Sequence, residues 1–88
     1  MKTFFHPDSI AVIGASDRRG SLGRQMITNL LYGYERAIYP VNANYEEIEG
    51  IPCFPSVEKI PGPVDLAIVI VPAPAVPEAL EACGRKGI

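Results

Sequence analysis

The apolar run Ile10-Ala11-Val12-Ile13 leads straight into Gly14. No polar residue alternates with these four, so a strand over 9–15 must be covered on both faces, as in a parallel sheet flanked by helices. The stretch that follows, Ala15 to Gly23, contains Gly20 and Gly23 and reads as a glycine-punctuated turn opening a helix. A strand that turns tightly into a helix leaves backbone N–H groups unpaired. They lie beside the positive end of the helix dipole, worth roughly half an elementary charge, and together form a phosphate site.

Further along the chain, Leu22 to Tyr32 has helical spacing. Leu22, Met26, Ile27, Leu30 and Leu31 fall on one stripe, Ser21 is the expected N-cap, and Gly33 the residue that ends the helix. A second strand is expected over 36–41, closed by Pro40. Tyr45 to Glu49 reads as a short acidic helical turn stopped by Gly50. Ile51-Pro52-Cys53-Phe54 reads as a brief strand at the sheet edge, where proline is tolerated. Ser56 to Ile60 reads as one helical turn capped by Ser56. Asp65 to Val71 is the strongest strand in the sequence, β-branched and apolar throughout, and Pro72 stops it. The last helix is expected to start near Pro77 and end at Gly87, with Val76, Ala79, Leu80 and Cys83 facing inward and Glu81 paired with Arg85.

Strands alternating with helices predict an α/β fold, a Rossmann-like parallel sheet with flanking helices and right-handed crossovers. The 65–71 strand is placed beside the 9–15 strand, on the side away from the second strand. The strand order then reverses at the first strand, and the loops 14–23, 40–44 and 71–75 converge where ligands bind in such sheets.

Composition narrows the ligand. With 88 residues the chain is one small domain, and its net charge of −2 excludes a general nucleic-acid or membrane-surface binder. An anion must therefore be met locally, by loop amides and a few arginines. No signal peptide is expected from Met1 to Asp8, and no run is long enough to span a membrane. Cys53 and Cys83 lack metal-ligand or Cys-x-x-Cys spacing and read as reduced thiols of a cytoplasmic protein. Phe4 and Phe5 are expected to pin the leading segment to the body. His6, the single histidine, has no nucleophile near it in sequence and reads as structural.

The loop departs from the dinucleotide fingerprint Gly-x-Gly-x-x-Gly, because its glycines are Gly14, Gly20 and Gly23. No carboxylate follows the second strand to hold a ribose; Val41, Asn42, Ala43 and Asn44 stand there instead. No Gly-Lys-Ser/Thr follows either, so this is not a Walker loop. Arg18 and Arg19 in the turn suit a ligand with more phosphate charge than NAD carries, since arginine can grip phosphate bidentately.

Four stretches in order carry a family resemblance: Ser9 to Ser16 with Gly20-Ser21-Leu22-Gly23, Tyr39-Pro40-Val41-Asn42, Gly50 to Phe54, and Val71-Pro72-Ala73-Pro74. Together they resemble the N-terminal CoA-binding domain of the NDP-forming (ADP-forming) acyl-CoA synthetases and, more distantly, the start of the succinyl-CoA synthetase α subunit. The resemblance implies coenzyme A as ligand, held by Gly14, Ser16, Asp17, Arg18, Arg19 and Gly20 of the first turn, Asn42 of the second, and Val71 and Pro72 as a wall. Family members often carry Pro-Lys where this chain has Ala43-Asn44, and the succinyl-CoA synthetase α subunit has lysine where Asn42 stands. A cation is thus missing, and Arg18 or Arg19 is expected to replace it.

In the family, a histidine on a later domain carries the phosphoryl group, and His6 does not match it. The resemblance therefore implies a chain that binds CoA or acyl-CoA without catalytic residues of its own, alongside further domains or a subunit of a parent ligase. No nucleic acid or membrane is expected as a partner. The 65–71 strand would be left at a sheet edge, which proteins normally avoid. Residues 1–88 are accordingly expected to be the N-terminal part of a longer protein, truncated before its last strand, or a chain completed by a partner. Two alternatives remain: a CoA-sensing regulatory domain fused to a lysine acetyltransferase, and the NAD(P)-binding domain of an oxidoreductase.

Overall fold

The computed structural model describes residues 8–34 and 36–88. The expectations for Phe4, Phe5 and His6 lie outside the described residues. The first strand, β1 (Ser9–Ile13), is buried at every position, as a run without alternation requires. It lies in the middle of a three-stranded parallel sheet. β2 (Ala37–Val41) pairs on one side, with Ile10 opposite Ile38 and Ile13 opposite Val41. The strand Leu66–Val69, fifth in chain order and labelled β5, pairs on the other, with Ile13 opposite Val69. The strand order reverses at β1 as expected.

The pleat of β1 divides the core in two. Ile10 and Val12 pack with Ala15, Ile27 and Ile48 on one face. Ala11 and Ile13 pack with Val41, Val57, Ile60, Val64 and Cys83 on the other. Helix α1 (Leu22–Gly33) covers the first face and α2 (Val76–Lys86) the second. At the opposite end of the sheet Ser9 is buried and ties β1 to the segment before β5. Its hydroxyl donates to the Pro63 carbonyl at 3.2 Å and accepts from the Asp65 N–H at 3.0 Å.

Two glycines set how closely these layers meet. Gly14 has φ 94°, and a Cβ there would overlap the Ile70 carbonyl oxygen of the neighbouring strand segment. Gly23, in the first turn of α1, sits against the Gly14 carbonyl, and a Cβ on it would also come within 3.0 Å of the Ser16 nitrogen. This contact turns α1 away from the expected stripe. Gly23 and Ile27 face inward, while Leu22 is 66% and Leu31 45% exposed. At about 100° per residue, a helix that must present Gly23 to the sheet carries its neighbour Leu22 to the flank. Ser21 caps α1 as expected, its hydroxyl accepting from the Arg24 N–H at 3.2 Å. Gly33 does not end the helix; it is the last helical residue, and Tyr34 is the cap.

Between β2 and β5 the structure corrects the sequence reading. Tyr45 to Glu49 is not a helical turn. Glu47–Ile48 (β3) and Ile51–Pro52 (β4) form a small antiparallel hairpin. Glu49 and Gly50, with φ 55° and 79°, make its two-residue turn. Positive φ at both central residues matches the right-handed twist of a tight hairpin, and Gly50 adopts it without strain. The 51–54 segment consequently belongs to this hairpin and not to the main sheet. Only Phe54 bridges Val41, donating its N–H to Pro40 at 2.9 Å and accepting from Asn42 at 2.9 Å. Pro40 does not close β2, which continues to Val41, and is buried.

After the hairpin, Val57–Lys59 forms a single 3-10 turn that Ser56 precedes without a side-chain cap. β5 ends at Val69, before the expected Val71, although the Ile70 N–H still donates to Ile13 at 2.7 Å. A 3-10 turn over Ala73–Ala75 then leads into α2, which Gly87 ends at φ 90° by donating to the Cys83 and Gly84 carbonyls. Leu80 is 57% exposed; Ala79, Ala82 and Cys83 form the inner face instead. Arg85 pairs with Glu58 at 3.2 Å, not with Glu81, and Lys86 donates to the Ile60 carbonyl. The end of α2 is thereby pinned to the 3-10 turn that shares its core cluster. The Arg85 guanidinium holds the Glu58 carboxyl below its ordinary value.

The two helical glycines in contrasting surroundings give opposite expectations. Gly23→Ala should lower unfolding free energy by roughly 1–3 kcal/mol, the usual range for overpacking a tight contact. Gly84→Ala, with nothing within 4 Å of its missing Cβ, should raise it by about 0.5–1 kcal/mol through helix propensity. Urea unfolding of the two variants measures both.

Candidate functional site

The site grows from the end of β1. Ile13 is the last ladder residue. The Gly14 N–H then donates to the Val41 carbonyl at 3.0 Å, fastening the turn to the end of β2. Val71 stands on the other side: its Cγ1 would lie 3.1 Å from a Gly14 Cβ. Three chain segments therefore meet around Gly14, at the C-terminal ends of parallel strands where the order reverses, the position at which open α/β sheets bind ligands.

Beyond Gly14 the loop's polar groups are sorted. The Ala15 carbonyl accepts from Asn42 Nδ2 at 2.8 Å. The Asp17 carbonyl accepts from Arg24 Nη1 at 3.2 Å, and the Arg18 carbonyl from the Ser21 N–H at 3.1 Å. The Ser16 hydroxyl accepts from the Arg18 N–H at 3.0 Å and lies 3.4 Å from the Tyr45 hydroxyl. By contrast, the N–H groups of Ser16, Asp17, Arg19 and Gly20 donate to none of the described residues. With three carbonyls held by protein donors and four N–H groups without a described acceptor, the loop is biased toward donors. The N-terminus of α1 adds its partial positive charge behind it.

The nine residues singled out from sequence divide into two groups. Gly14, Ser16, Asn42 and Val71 form the inner part, half-buried around the turn. Asp17, Arg18, Arg19, Gly20 and Pro72 form an exposed rim. The guanidinium groups of Arg18 and Arg19 make no hydrogen bond or ion pair with any described residue. Gly20 has φ 83° with nothing within 4 Å of its missing Cβ, so the backbone is open to close approach.

Asn42 is more occupied than a ligand contact needs to be. Its amide donates to Ala15 and its Oδ1 accepts from the Asn44 N–H at 2.8 Å. It is a brace between the two loops.

Sequence reasoning missed three residues at this site: Arg24, Tyr45 and Glu49. Arg24 lies off the apolar stripe expected for α1, and the other two fall in the stretch expected as a helical turn. The usable signal was Glu-Gly between Ile48 and Ile51, a two-residue hairpin connection.

A cavity of about 230 Å³ opens next to the loop, on the α2 face of the sheet. Ile13, Val41, Val57 and Ala79 give it apolar walls, and Ser56 and Glu78 are polar residues in its lining. None of the nine sequence-derived residues lines it, yet Ile13 and Val41 directly precede Gly14 and Asn42.

Burial pushes both thiols above their ordinary value, so they are protonated at neutral pH. Cys53 donates weakly to the Asn42 carbonyl at 3.5 Å. Among the described residues no group of histidine, cysteine or carboxylate side chains is placed to hold a metal, and no helix is long and apolar enough to cross a membrane.

Comparison with known proteins agrees with this geometry. The family model described as CoA binding domain matches residues 8–88. The chain is 50% identical over its full length to acetate–CoA ligase [ADP-forming] I of Archaeoglobus fulgidus, of which it covers 13%. It is 46% identical to the α subunit of acetate–CoA ligase [ADP-forming] I of Pyrococcus furiosus, covering 20% of that chain. The apo form of the dinucleotide forming acetyl-coenzyme A synthetase 1 from Ca. Korarchaeum cryptofilum superposes with a TM-score of 0.92 at 39% identity, over 96% of this chain and 19% of that one. The chain thus spans a fifth or less of the length of these relatives.

If Asn42 is the brace, Asn42→Ala breaks two hydrogen bonds and should lower unfolding free energy by about 1–2 kcal/mol. Asn42→Asp keeps the contact to Asn44 but sets a carboxylate oxygen against the Ala15 carbonyl oxygen, so its loss should be at least as large. Thermal unfolding of the two variants at matched pH reads the difference.

Proposed function

This chain belongs to the CoA binding domain family, and on that premise we propose that it is the CoA-binding domain of an ADP-forming acid–CoA ligase. The observation that supports this most directly is the sorted loop of residues 14–20. Its Ala15, Asp17 and Arg18 carbonyls accept from protein donors, the N–H groups of Ser16, Asp17, Arg19 and Gly20 donate to no described residue, and the Arg18 and Arg19 guanidinium groups on its rim pair with none of the described residues. An anion with several phosphates matches that surface, and CoA is such an anion. Its uncharged portions need a different lining, and the apolar cavity beside the loop supplies one.

In this reading Gly14, Ser16, Asp17 and Gly20 form the cradle, and Arg18 and Arg19 neutralise phosphate charge. Val71 and Pro72 form the wall, while Asn42 holds the first loop to the second. The chain's own part is to bind and orient CoA. The phosphoryl and acyl steps of the ligase belong to further domains or a partner subunit, and the domain works in the cytoplasm. Its parallel sheet supports the assignment of residues 1–88 to one CoA-binding unit within that longer protein.

Calorimetric titration tests the proposal. CoA should bind the wild-type chain, and NADH should bind more weakly by an order of magnitude or more, because no carboxylate follows β2. The Arg18→Ala/Arg19→Ala double variant should bind CoA about tenfold more weakly, the effect of losing one charge-assisted contact. Equal CoA affinities for wild type and double variant would remove the arginines from the site. NADH bound in preference to CoA would overturn the reading as a whole.

A further inference from the structure

Arg24 lies outside the nine residues assigned to the ligand, yet its guanidinium meets both the carbonyl and the carboxylate of Asp17 in the loop. It is the third residue of α1, and its backbone N–H is the group that the Ser21 hydroxyl caps. Its guanidinium folds back over the loop. Nη1 donates to the Asp17 carbonyl at 3.2 Å, and Nε stands 4.0 Å from the Asp17 carboxylate. The opposite edge of the guanidinium reaches the β3–β4 hairpin, where Nε and Nη2 both donate to Glu49 Oε1, at 3.0 and 2.5 Å. The receiving carboxylate sits on the one described non-glycine residue with positive φ, 55°. Sequence separation between the partners is 25 residues, so the contact is purely tertiary.

We propose that Arg24 is a positioning residue for the ligand-binding loop, holding the Asp17 carbonyl away from the anion and tying the loop to the β3–β4 hairpin through Glu49. The argument is one of polarity. A loop that binds phosphate with its amides has to keep its carbonyl oxygens turned away, because each one carries negative charge. Asn42 does this for Ala15, and the Ser21 N–H does it for Arg18. Arg24 is the only described side chain that does it for Asp17.

Arg24 also counters two carboxylates, Asp17 and Glu49, that would otherwise oppose an approaching anion. Its side chain is 31% exposed and that of Glu49 25%. The pair is therefore more shielded from solvent than an ordinary surface bridge, and its geometry involves two donors. Arg18 and Arg19 differ in both respects, being exposed and unpaired. They are available to a ligand, whereas Arg24 is committed to the loop.

The inference rests on the CoA reading for its binding measurement only. Two measurements on the full chain test it. Without ligand, backbone ¹⁵N order parameters of Asp17 to Gly20 are compared in wild type, Arg24→Ala and Arg24→Lys. Arg24→Ala should lower them in this stretch to below about 0.6, the range of flexible backbone, while β1 and β5 stay near about 0.85. Arg24→Lys should fall between wild type and Arg24→Ala, because a single ammonium cannot span both the Asp17 carbonyl and Glu49. Unchanged loop order parameters in Arg24→Ala would overturn the proposal.

In the second measurement CoA is titrated into the same proteins and into Glu49→Asn. Asparagine suits a positive φ better than glutamate and is too short to keep the contact, so the hairpin turn survives the change. Arg24→Ala should weaken CoA binding about tenfold, and Glu49→Asn should weaken it in the same direction by less. If Arg24 were instead a phosphate ligand sequestered by Glu49, Glu49→Asn would strengthen binding; that result would overturn the positioning role. A wild-type chain that fails to bind CoA would defeat the functional reading, and the order parameters would still decide the role of Arg24.

Discussion

The structure depends on a close contact that two missing side chains permit. Gly14 lets the end of β1 lie directly against the Ile70 carbonyl, and Gly23 lets the first turn of α1 lie directly against the Gly14 carbonyl. Strand, neighbouring strand and helix meet at one point with backbone against backbone. The helix N-terminus is thereby brought to the C-terminal end of the sheet, at the place where the strand order reverses. A methyl group at either position would separate these layers, and the interior is packed too densely to absorb the gap. The rotation of α1, and with it the exposure of Leu22 and Leu31, follows from the same contact.

With the layers set, the loop's chemistry follows from how its backbone is satisfied. Three loop carbonyls find donors from three different sources: the Asn42 side chain, the Ser21 backbone and the Arg24 guanidinium. The N–H groups of Ser16, Asp17, Arg19 and Gly20 are left without an acceptor among the described residues. In the proposed reading, affinity for anions is what this pattern of backbone satisfaction leaves behind. The segments that satisfy the carbonyls turn the loop into a cradle, and the unpaired Arg18 and Arg19 add charge to a surface already biased toward donors. This explains how a chain with a net charge of −2 can offer an anion site. The site depends on local dipoles and a few arginines, and needs no basic face.

The parts of the fold that were legible in the sequence are those governed by short-range rules. β1 showed itself through four apolar residues without alternation, and the structure buries all of them. The Ser21 cap and the Gly87 stop are local backbone chemistry and stand where they were expected. The region 45–54 was illegible because its acidic residues suit a helical turn as well as an exposed hairpin. Glu49 takes a positive φ that propensity disfavours, and contacts formed only on folding, the hairpin pairing and the ion pair with Arg24, compensate for it. The expected Glu81–Arg85 pair failed for a related reason. A neighbour four residues along a helix is always available, but Glu58 is brought within 3.2 Å by the packing of the 3-10 turn against α2.

The sequence by itself determined the class of fold and which loops meet at the ends of its strands. Apolar runs, helical spacing and glycine positions are properties of neighbouring residues, and strand order follows from the few connections a parallel sheet allows. It also determined the family, through four stretches in order that the comparison with known proteins bears out. Only the tertiary structure decided which polar groups in the site are free and which are committed. Asn42 and Arg24 are occupied by partners 27 and 7 residues away, Arg24 also by Glu49 at 25, and the Arg18 and Arg19 guanidinium groups by none of the described residues. A side chain's availability to a ligand depends on what else lies within hydrogen-bond reach, and that is set by how distant segments pack.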